Sequence, residues 1–537
     1  MEALEGLAYG MSLVFTPELL LAALVGALAG SAIGVLPGLG PVAGAALLLP
    51  LTFSLSPGAG VIMIVAVYAG AMYGGSTTAV LMNMPGESAS VVTTIDGYEM
   101  TRQGRSGAAL SIMAVGSFVA GTIGIVLVTA ASPFLAKVGL WFGPAEYLAL
   151  TAGGLLALAR VSGGSPASGL FPMIIGVMLA TVGQEAVTGT YRYTFGIQEL
   201  GIGISLAPVA IGLFGLAELM LLVESPTGSR RVLRPRFREL FPTREDWRRA
   251  WAPWGRGSVV GFLFGLIPGP SATLSSFVAY RLEKGVSKHR DQLGKGAVEG
   301  VAGPEAANNA AAVGSVVPLL SLGLPFSATL ALAISALMAQ GVEPGPLLIS
   351  DHPDIFWAVV ASLYVANVML LVLNLPLVGV WVSLLRVPRS ILLPTIVVVA
   401  LIGAYSLHNS MLDVVLLLIM GVVGYVLRKL EFNLVSFVVG LVLGPLIEKH
   451  FREGLFLSGG DLGYFVSTPL AASIWALVLL VMFAGTIGRL LRRRANPAAQ
   501  SGANPAGPSD ADPTGPAVTG SGGERHAEQK SAGGDAT

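Results

Sequence analysis

The amino-acid sequence predicts an all-α polytopic membrane protein with about 10–12 transmembrane helices, some of them broken or re-entrant, in two pseudo-symmetric repeat halves. Of its 537 residues, 53% are hydrophobic and 12% are charged, and the mean hydropathy is +0.75. A soluble domain carries about 25% charged residues, roughly twice this fraction. The 70 glycines and 33 prolines are the second observation, because helix breakers inside apolar segments are typical of membrane helices that border a cavity.

Apolar segments of bilayer-spanning length recur along the chain. A helix needs about 20 apolar residues to cross the hydrocarbon core of a membrane. These segments do not alternate between polar and apolar residues, which argues against a β-barrel. One buried helix of a soluble protein could explain a single such segment, but not their repetition from end to end. Examples are residues 19–36, 61–81, 108–131, 202–223, 356–385 and 471–487.

Charge balance and motif content exclude several classes of function. The 31 Lys and Arg residues equal the 31 Asp and Glu residues in number, so bulk charge does not indicate a nucleic-acid partner. The lack of cysteine excludes disulfides, thiolate metal sites and a cysteine nucleophile. The sequence has no HExxH, Walker A or GxSxG motif, and its five histidines are scattered. We therefore expect a protein that is not an enzyme and has no cofactor.

Basic residues predict the orientation and organisation of the chain. The densest cluster of arginines lies in residues 225–256, and short loops rich in Lys and Arg face the cytoplasm. We interpret this segment as a cytoplasmic connector between an N-terminal membrane repeat half, residues 1–224, and a C-terminal one, residues 257–494. The Ala-, Gly- and Pro-rich tail, residues 495–537, is expected to be disordered and cytoplasmic.

A second basic stretch predicts a re-entrant hairpin. Residues 281–295 are basic, but only one apolar segment, residues 258–280, separates them from the connector. A single crossing would place the two basic stretches on opposite sides of the membrane, against the positive-inside rule. If the chain folds back at Pro268-Gly269-Pro270, both stretches stay in the cytoplasm, and we expect this arrangement.

Two helix-breaking motifs occur in the same order in each half. Residues 34–41 (GVLPGLGP) correspond to residues 265–270 (GLIPGP), and residues 83–89 (NMPGESA) correspond to residues 323–328 (GLPFSA). Matching breaks in two halves are the best sequence indication of a transporter's binding site. The sequence leaves open whether the two halves have the same or opposite orientation.

The residues at these breaks are suited to binding an anion. A helix broken within the membrane presents free N–H groups and about half a positive charge at its N-terminus, which can hold a carboxylate without an arginine. Hydroxyl and amide side chains add hydrogen bonds, although a single Ser or Thr more often packs or bonds back to its own helix. Two adjacent buried amides are costly without a function. The predicted substrate-binding residues are Gly38, Gly40, Asn83, Pro85, Gly86, Ser88, Pro268, Gly269, Ser271, Thr273, Asn308, Asn309, Pro325, Phe326 and Ser327.

The same segments supply oxygen ligands for a coupling cation. Unwound carbonyls, helix C-termini and hydroxyls can bind Na⁺, and an intramembrane carboxylate can add charge or carry a proton. Glu87 and Glu305 lie beside the breaks, whereas the other acidic residues of apolar segments are interpreted as structural. The predicted coupling-ion residues, which would bind Na⁺ or H⁺, are Ser76, Thr77, Thr78, Glu305 and Thr329.

Long motifs in a fixed order resemble the large membrane subunit of the tripartite tricarboxylate transporters, the TctA family. In the first half these are GVLPGLGP, residues 73–100 (YGGSTTAVLMNMPGESASVVTTIDGYEM) and residues 142–150 (FGPAEYLAL). In the second half they are residues 296–325 (GAVEGVAGPEAANNAAAVGSVVPLLSLGLP) and residues 374–382 (NLPLVGVWV). Together they extend the resemblance over most of the chain.

This resemblance implies the translocating subunit of a cation-coupled importer in the bacterial inner membrane. It also implies two protein partners, a small four-helix membrane subunit and a periplasmic solute-binding protein that delivers the substrate. The implied substrates are small organic di- or tricarboxylates, citrate among them, and the implied coupling ion is Na⁺ or H⁺. One position departs from the family pattern, since Phe326 follows Pro325 where a glycine is usual. We expect this aromatic side chain to narrow the cavity or to favour a less hydrophilic acid.

Two alternatives from other classes are a non-transporting membrane assembly subunit and an intramembrane hydrolase. A structural subunit has no need of polar breaks at matching positions in two halves. A hydrolase needs an activated nucleophile and a base, and the sequence shows no such pair. We therefore expect translocation, with an elevator-like moving part, rather than bond-making chemistry.

Overall fold

The computed structural model describes residues 3–36, 39–161, 166–185, 189–224, 240–384 and 387–495. Within these ranges the regular structure is helical apart from one short antiparallel pair of strands, β1 (Gly183–Gln184) and β2 (Tyr191–Arg192). Seven described helices are long and apolar enough to cross a membrane, and six shorter apolar helices accompany them. The predicted fold class, an all-α polytopic membrane protein, is confirmed, while the number of complete crossings remains a prediction.

The N-terminal part contains two breaks between apolar helices. The second helix starts where the sequence has a proline in the first turn, followed by Glu18 near the positive end of the helix dipole. The fourth helix ends at Asn83, whose φ of 55° is the left-handed conformation that terminates many helices. The helices are α1 (Ala3–Val14), α2 (Pro17–Val35), α3 (Gly40–Thr52), α4 (Pro57–Met82), α5 (Val91–Arg102) and α6 (Ser106–Gly139).

The next helices join the two parts. A π-helical turn over Ile211–Leu216 connects two short helices, so that residues 206–224 form one continuous span. The helices are α7 (Pro144–Val161), α8 (Pro166–Ala180), α9 (Leu206–Ala210) and α10 (Ala217–Glu224).

The C-terminal part begins inside the predicted connector. Thr243 and Asp246 form a capping box, so the chain is helical from Arg244, and residues 244–256 are not a loop. Residues 225–239 of that connector lie outside the described residues. The helices are α11 (Arg244–Gly265), α12 (Ser271–Val286), α13 (Val298–Gly314), α14 (Val316–Leu322), α15 (Ala328–Met338), α16 (Leu348–Asp351) and α17 (Pro353–Asn374).

The last helices complete the bundle. They are α18 (Val378–Leu384), α19 (Arg389–His408), α20 (Met411–Lys429), α21 (Leu434–Leu457) and α22 (Pro469–Ala495). Residues 496–537, the predicted cytoplasmic tail, lie outside the described residues.

Glycines spaced four residues apart allow one pair of helices to pack closely in each part. A Cβ atom added at any of them would lie 2.2–2.6 Å from a carbonyl oxygen of the facing helix, so only glycine fits. In each pair, the residue numbers at successive contacts increase along both helices, so the two helices run parallel. The helix that connects them in the sequence, α3 in the first pair and α12 in the second, therefore runs in the opposite direction. The contacts are Gly26–Met63, Gly30–Val67 and Gly34–Ala71 between α2 and α4, and Gly257–Gly303, Gly261–Ala307 and Gly265–Ala311 between α11 and α13.

The two parts have opposite orientations. The Thr101 hydroxyl of α5 donates to the carbonyl oxygen of Val80, near the C-terminus of α4, at 2.8 Å. Two residues later, Gln103 donates to the carbonyl oxygen of Lys295, just before α13, at 2.8 Å. The C-terminal end of α4 therefore lies at the N-terminal end of α13, so the glycine-packed helices of the two parts enter the bundle from opposite ends.

Helices α11 and α12 fold back on each other at the predicted turn, and the position of this hairpin in the membrane remains a prediction. Arg256 on α11 pairs with Glu283 on α12 at 2.7 Å, and Arg249 donates to the Gln292 side chain at 2.9 Å. Both basic stretches consequently lie at the same end of the bundle. The turn between α11 and α12 lies at residues 266–270, which include the predicted Pro268-Gly269-Pro270.

Candidate functional site

The four predicted break motifs come together in a ring of contacts. We call residues 34–36 with 39–40 and residues 268–273 the hairpin tips, and residues 85–88 and 325–328 the helix breaks. The second tip touches both breaks, and the first tip touches the first break and shares an apolar cluster with the second. The contacts are Gly34 with Gly86, Ser88 with Thr273, Gly269 with Phe326, and Leu39 with Ala328 in one apolar cluster.

Two contacts of the ring are close approaches between backbone atoms of a tip and a break. A Cβ atom on Gly86 would lie 2.0 Å from the carbonyl oxygen of Gly34, so the first break needs glycine. In the second half, the Gly269 N–H donates to the carbonyl oxygen of Phe326 at 3.5 Å. The Ser88 and Thr273 hydroxyls join the first break to the second tip at 2.9 Å.

The two helix breaks have the same local structure. Asn83 and Gly323 both adopt a left-handed conformation, with φ of 55° and 70°. The next helical segment is then capped by a side chain: Glu87 accepts from the Ala89 N–H at 3.0 Å, and Ser327 accepts from the Leu330 N–H at 3.2 Å. These caps occupy some of the N–H groups at the helix breaks, which are then not free to bind an anion.

A buried polar cluster lies where α4, α5 and α13 meet beside the first break. The Ser76 hydroxyl donates to Oε1 of Glu305 at 2.8 Å, and the Thr93 hydroxyl donates to the same atom. The Asn308 amide donates to Oε1 of Glu87 at 3.3 Å. Glu305 and Asn308 are completely buried, and Glu87 is half-buried. We call Ser76, Glu87, Thr93, Glu305 and Asn308 the carboxylate cluster.

The carboxylate cluster contains more acceptors than donors. Within the described residues, Oε2 of Glu305 and Oδ1 of Asn308 are buried without any hydrogen-bond partner. None of the ion pairs found in those residues involves Glu87 or Glu305. Two carboxylates in an apolar bundle without a basic partner need a bound cation or a proton to offset their charge.

The predicted coupling-ion residues divide into two groups. Ser76 and Glu305 come together, as described above. Thr77 and Thr78 bond back to carbonyl oxygens of their own helix, the packing role of hydroxyls that the sequence analysis weighed against function. Thr329 is buried in the first turn of α15, beyond the second break.

The predicted substrate residues also differ in their surroundings. Asn309 is turned away from the ring, because its amide donates to the Ser117 hydroxyl at 2.8 Å and to the Glu305 carbonyl at 3.0 Å. Ser271 is buried with an unpaired hydroxyl, in the part of the chain described. Gly40 has a φ of 60° and open space around it. Gly38 lies outside the described residues. Asn83, Pro85, Pro268, Pro325 and Ser327 lie at the breaks or tips themselves.

Phe326 does not face a hydrophilic cavity. Its side chain is 7% exposed and packs in an apolar cluster with Leu158 of α7, Met173 of α8 and Leu443 of α21. The expectation that it narrows a substrate cavity therefore has no contact to support it, because the ring packs among the surrounding helices.

Sequence reasoning missed two features near the site. Thr93 and Ser117 each bond to the cluster or its neighbour, but a single hydroxyl inside a helix gives no signal of its own. A cavity of about 1260 Å³ reaches Gly323 and Leu324 at the second break, from the end of the bundle opposite the basic hairpin. This cavity is formed by helices from distant parts of the sequence.

Comparisons with known proteins agree with the motifs. A family model described as "Tripartite tricarboxylate transporter TctA family" matches residues 20–439. The "Uncharacterized 52.8 kDa protein in TAR-I ttuC' 3'region" of Agrobacterium vitis is 43% identical over 494 residues, covering 92% of this chain and 98% of the relative. The "Uncharacterized protein in TAR-II ttuC' 3'region" of the same organism is 43% identical over 234 residues, 44% of this chain and 97% of the relative. No solved structure matches the chain.

Proposed function

This chain belongs to the tripartite tricarboxylate transporter TctA family, and from that premise we propose that it is the translocating subunit of a cation-coupled importer of small organic di- or tricarboxylates. The chain is a multi-pass membrane protein of a transporter family and not an enzyme. Neither the hydrolase nor the assembly-subunit alternative is favoured by any contact in the described structure.

The observation that carries the proposal is the ring of tips and breaks with a carboxylate cluster beside it. Transporter sites form where discontinuous helices of two oppositely oriented halves meet. Here the Ser88 and Thr273 hydroxyls are 2.9 Å apart, and the hydroxyl that accepts in this bond keeps its own hydrogen for a carboxylate. The buried, unpaired hydroxyl of Ser271 lies on the same tip as Thr273. We propose that the substrate binds at this ring.

Coupling to cations follows from charge. A carboxylate that enters a negative-inside cell works against about 2.3 kcal/mol per charge per 100 mV. Hydrogen bonds from the ring can bind the anion, but they cannot supply this work. We propose that at least as many monovalent cations as substrate charges enter together, and that Ser76 and Glu305 belong to the coupling site.

The proposed partners and location follow from the tripartite family. We propose that the chain lies in a bacterial inner membrane with its basic hairpin in the cytoplasm. A periplasmic solute-binding protein would then release the substrate into the 1260 Å³ cavity at the opposite end. A small four-helix membrane subunit would accompany it.

Uptake of radiolabelled di- and tricarboxylates tests this function in cells that express the chain with its partner proteins and lack other carboxylate carriers. Uptake of at least one acid is expected, and the double variant Ser88→Ala/Thr273→Ala should raise its KM at least tenfold, the effect of about 1.4 kcal/mol of lost binding. Ser12→Ala is the matched control, because its hydroxyl bonds only to the Tyr9 carbonyl on α1. If no acid is taken up, or if the double variant has the KM of the control, the proposed site is wrong.

A further inference from the structure

Glu87 is not among the predicted coupling-ion residues, yet it lies in the carboxylate cluster. Its Oε2 accepts from the Ala89 N–H and its Oε1 accepts from the Asn308 amide. Glu305 uses only Oε1, which receives both the Ser76 and Thr93 hydroxyls. Together these donors reach three oxygens, namely both carboxylate oxygens of Glu87 and Oε1 of Glu305. Within the described residues, Oε2 of Glu305 and Oδ1 of Asn308 receive no hydrogen bond.

Those two oxygens lie on one face of α13. Glu305 and Asn308 are three residues apart, which places their side chains on neighbouring positions of the helix surface. Oε2 of Glu305 and Oδ1 of Asn308 are both buried and, among the described residues, both lack a partner. The Asn308 amide nitrogen donates to Glu87, which places Oδ1 of the same amide beside that carboxylate.

We infer that Glu87, Glu305 and Asn308 form a binding site for a dehydrated Na⁺ ion, with Oε2 of Glu305 and Oδ1 of Asn308 among its ligands. The inference rests on the proposed function only for the use of this ion in transport. It adds Glu87 and Asn308 to the coupling site and names the ion.

The chemistry of the ligands selects a small monovalent metal ion. Carboxylate and amide oxygens are hard ligands, which disfavours metals that prefer imidazole or thiolate. Mg²⁺ keeps several of its waters and Ca²⁺ takes about 6–8 oxygen ligands, so a site with few oxygens around the completely buried Glu305 and Asn308 disfavours both ions. A metal ion satisfies both free oxygens at once.

The site is connected to the substrate ring through one residue. Glu87 precedes Ser88, whose hydroxyl contacts Thr273 on the second hairpin tip. An ion that attracts the Glu87 carboxylate toward α13 positions the first break and therefore this hydroxyl pair. Occupancy by Na⁺ thus prepares the ring for the anion, which is a physical basis for coupling.

Thermal unfolding of the purified full-length chain in lipid nanodiscs, without carboxylate, tests the site. NaCl is compared with KCl and choline chloride at constant ionic strength, and equilibrium binding of ²²Na⁺ is measured alongside. Na⁺ should raise Tm saturably, and K⁺ and choline should not. Glu87→Gln and Asn308→Ala should each weaken Na⁺ half-saturation at least tenfold. Glu146→Gln should respond like wild type, because its carboxylate is buried elsewhere, against Thr468.

The outcomes separate this inference from the proposed function. If wild type binds no ²²Na⁺, or is stabilised by acid and not by Na⁺, the ion is not Na⁺ and the inference fails even if carboxylate uptake is found. If Na⁺ binds and both cluster variants respond like Glu146→Gln, the site is elsewhere, and the inference again fails. If Na⁺ binding depends on Glu87 and Asn308 but no carboxylate is taken up, the inference stands and only the proposed function is overturned.

Discussion

The Ser76 hydroxyl on α4 donates a 2.8 Å hydrogen bond to Oε1 of Glu305 on α13. These helices are the glycine-packed members of two parts that enter the bundle from opposite ends, so the bond joins the two parts beside the first break. Both residues are completely buried. A buried carboxylate held by hydroxyls alone is an unstable arrangement unless an ion or another donor completes it.

The two adjacent asparagines should differ in their effects. Asn308→Ala removes the amide that holds Glu87, and uptake per folded molecule should fall at least tenfold at normal membrane level. Asn309→Ala removes bonds to Ser117 and to the Glu305 carbonyl, so it should lower stability by about 1–3 kcal/mol and keep most of the uptake. Uptake normalised to folded protein, with thermal unfolding, separates the two. Equal losses of uptake in both would contradict the distinction.

Phe326→Gly should destabilise the protein without changing its substrate range. The ring packs among Leu158, Met173 and Leu443, and deleting a buried phenylalanine costs about 3–5 kcal/mol. Competition of unlabelled acids against labelled substrate measures the range, and thermal unfolding measures stability. A broadened range with unchanged stability would show instead that the side chain faces the substrate.

The two ends of the bundle should be accessible from opposite sides of the membrane. The chain contains no cysteine, so single cysteines have no background. Ser287 follows α12 at the basic end, whereas Ser467 is exposed next to Thr468, which contacts the start of α7 at the cavity end. A membrane-impermeant thiol reagent should label Ser467→Cys but not Ser287→Cys in intact cells. The reverse pattern would invert the proposed orientation.

Asp96 should be a major determinant of stability. Its buried carboxylate accepts from the N–H groups of Gly294, Gly296 and Ala297 and from the Tyr280 hydroxyl, so it ties α5 to the loop before α13. Hydrogen bonds to a charged group contribute about 1.5–3 kcal/mol, and Asp96→Asn should lose at least this much in thermal unfolding. Glu99→Gln on the same helix should lose less than about 1 kcal/mol, because its ion pair with Arg102 is exposed. Similar values for both would refute this role.

The sequence predicted those features whose signals are local. Hydropathy identifies the apolar helices, and the Pro and Gly motifs locate the breaks and the hairpin turn at Pro268, because each acts on its own stretch of backbone. The contact of Ser76 with Glu305 could not be predicted, since it depends on the opposite orientation of two distant parts. The surroundings of the Phe326 side chain likewise depend on helices from distant parts of the sequence. Thr93 looked like any other helical hydroxyl.

The most direct test of cation-coupled carboxylate import is uptake into right-side-out membrane vesicles that contain the chain with its partner proteins. Labelled substrate is added with an imposed inward Na⁺ gradient, an imposed proton gradient, both, or neither, always with ATP present. Uptake should follow a cation gradient and collapse when both are dissipated, because the carboxylate must enter against the membrane potential. Glu305→Gln should abolish the gradient-driven component. Uptake that persists at the full rate with both gradients dissipated would contradict the account.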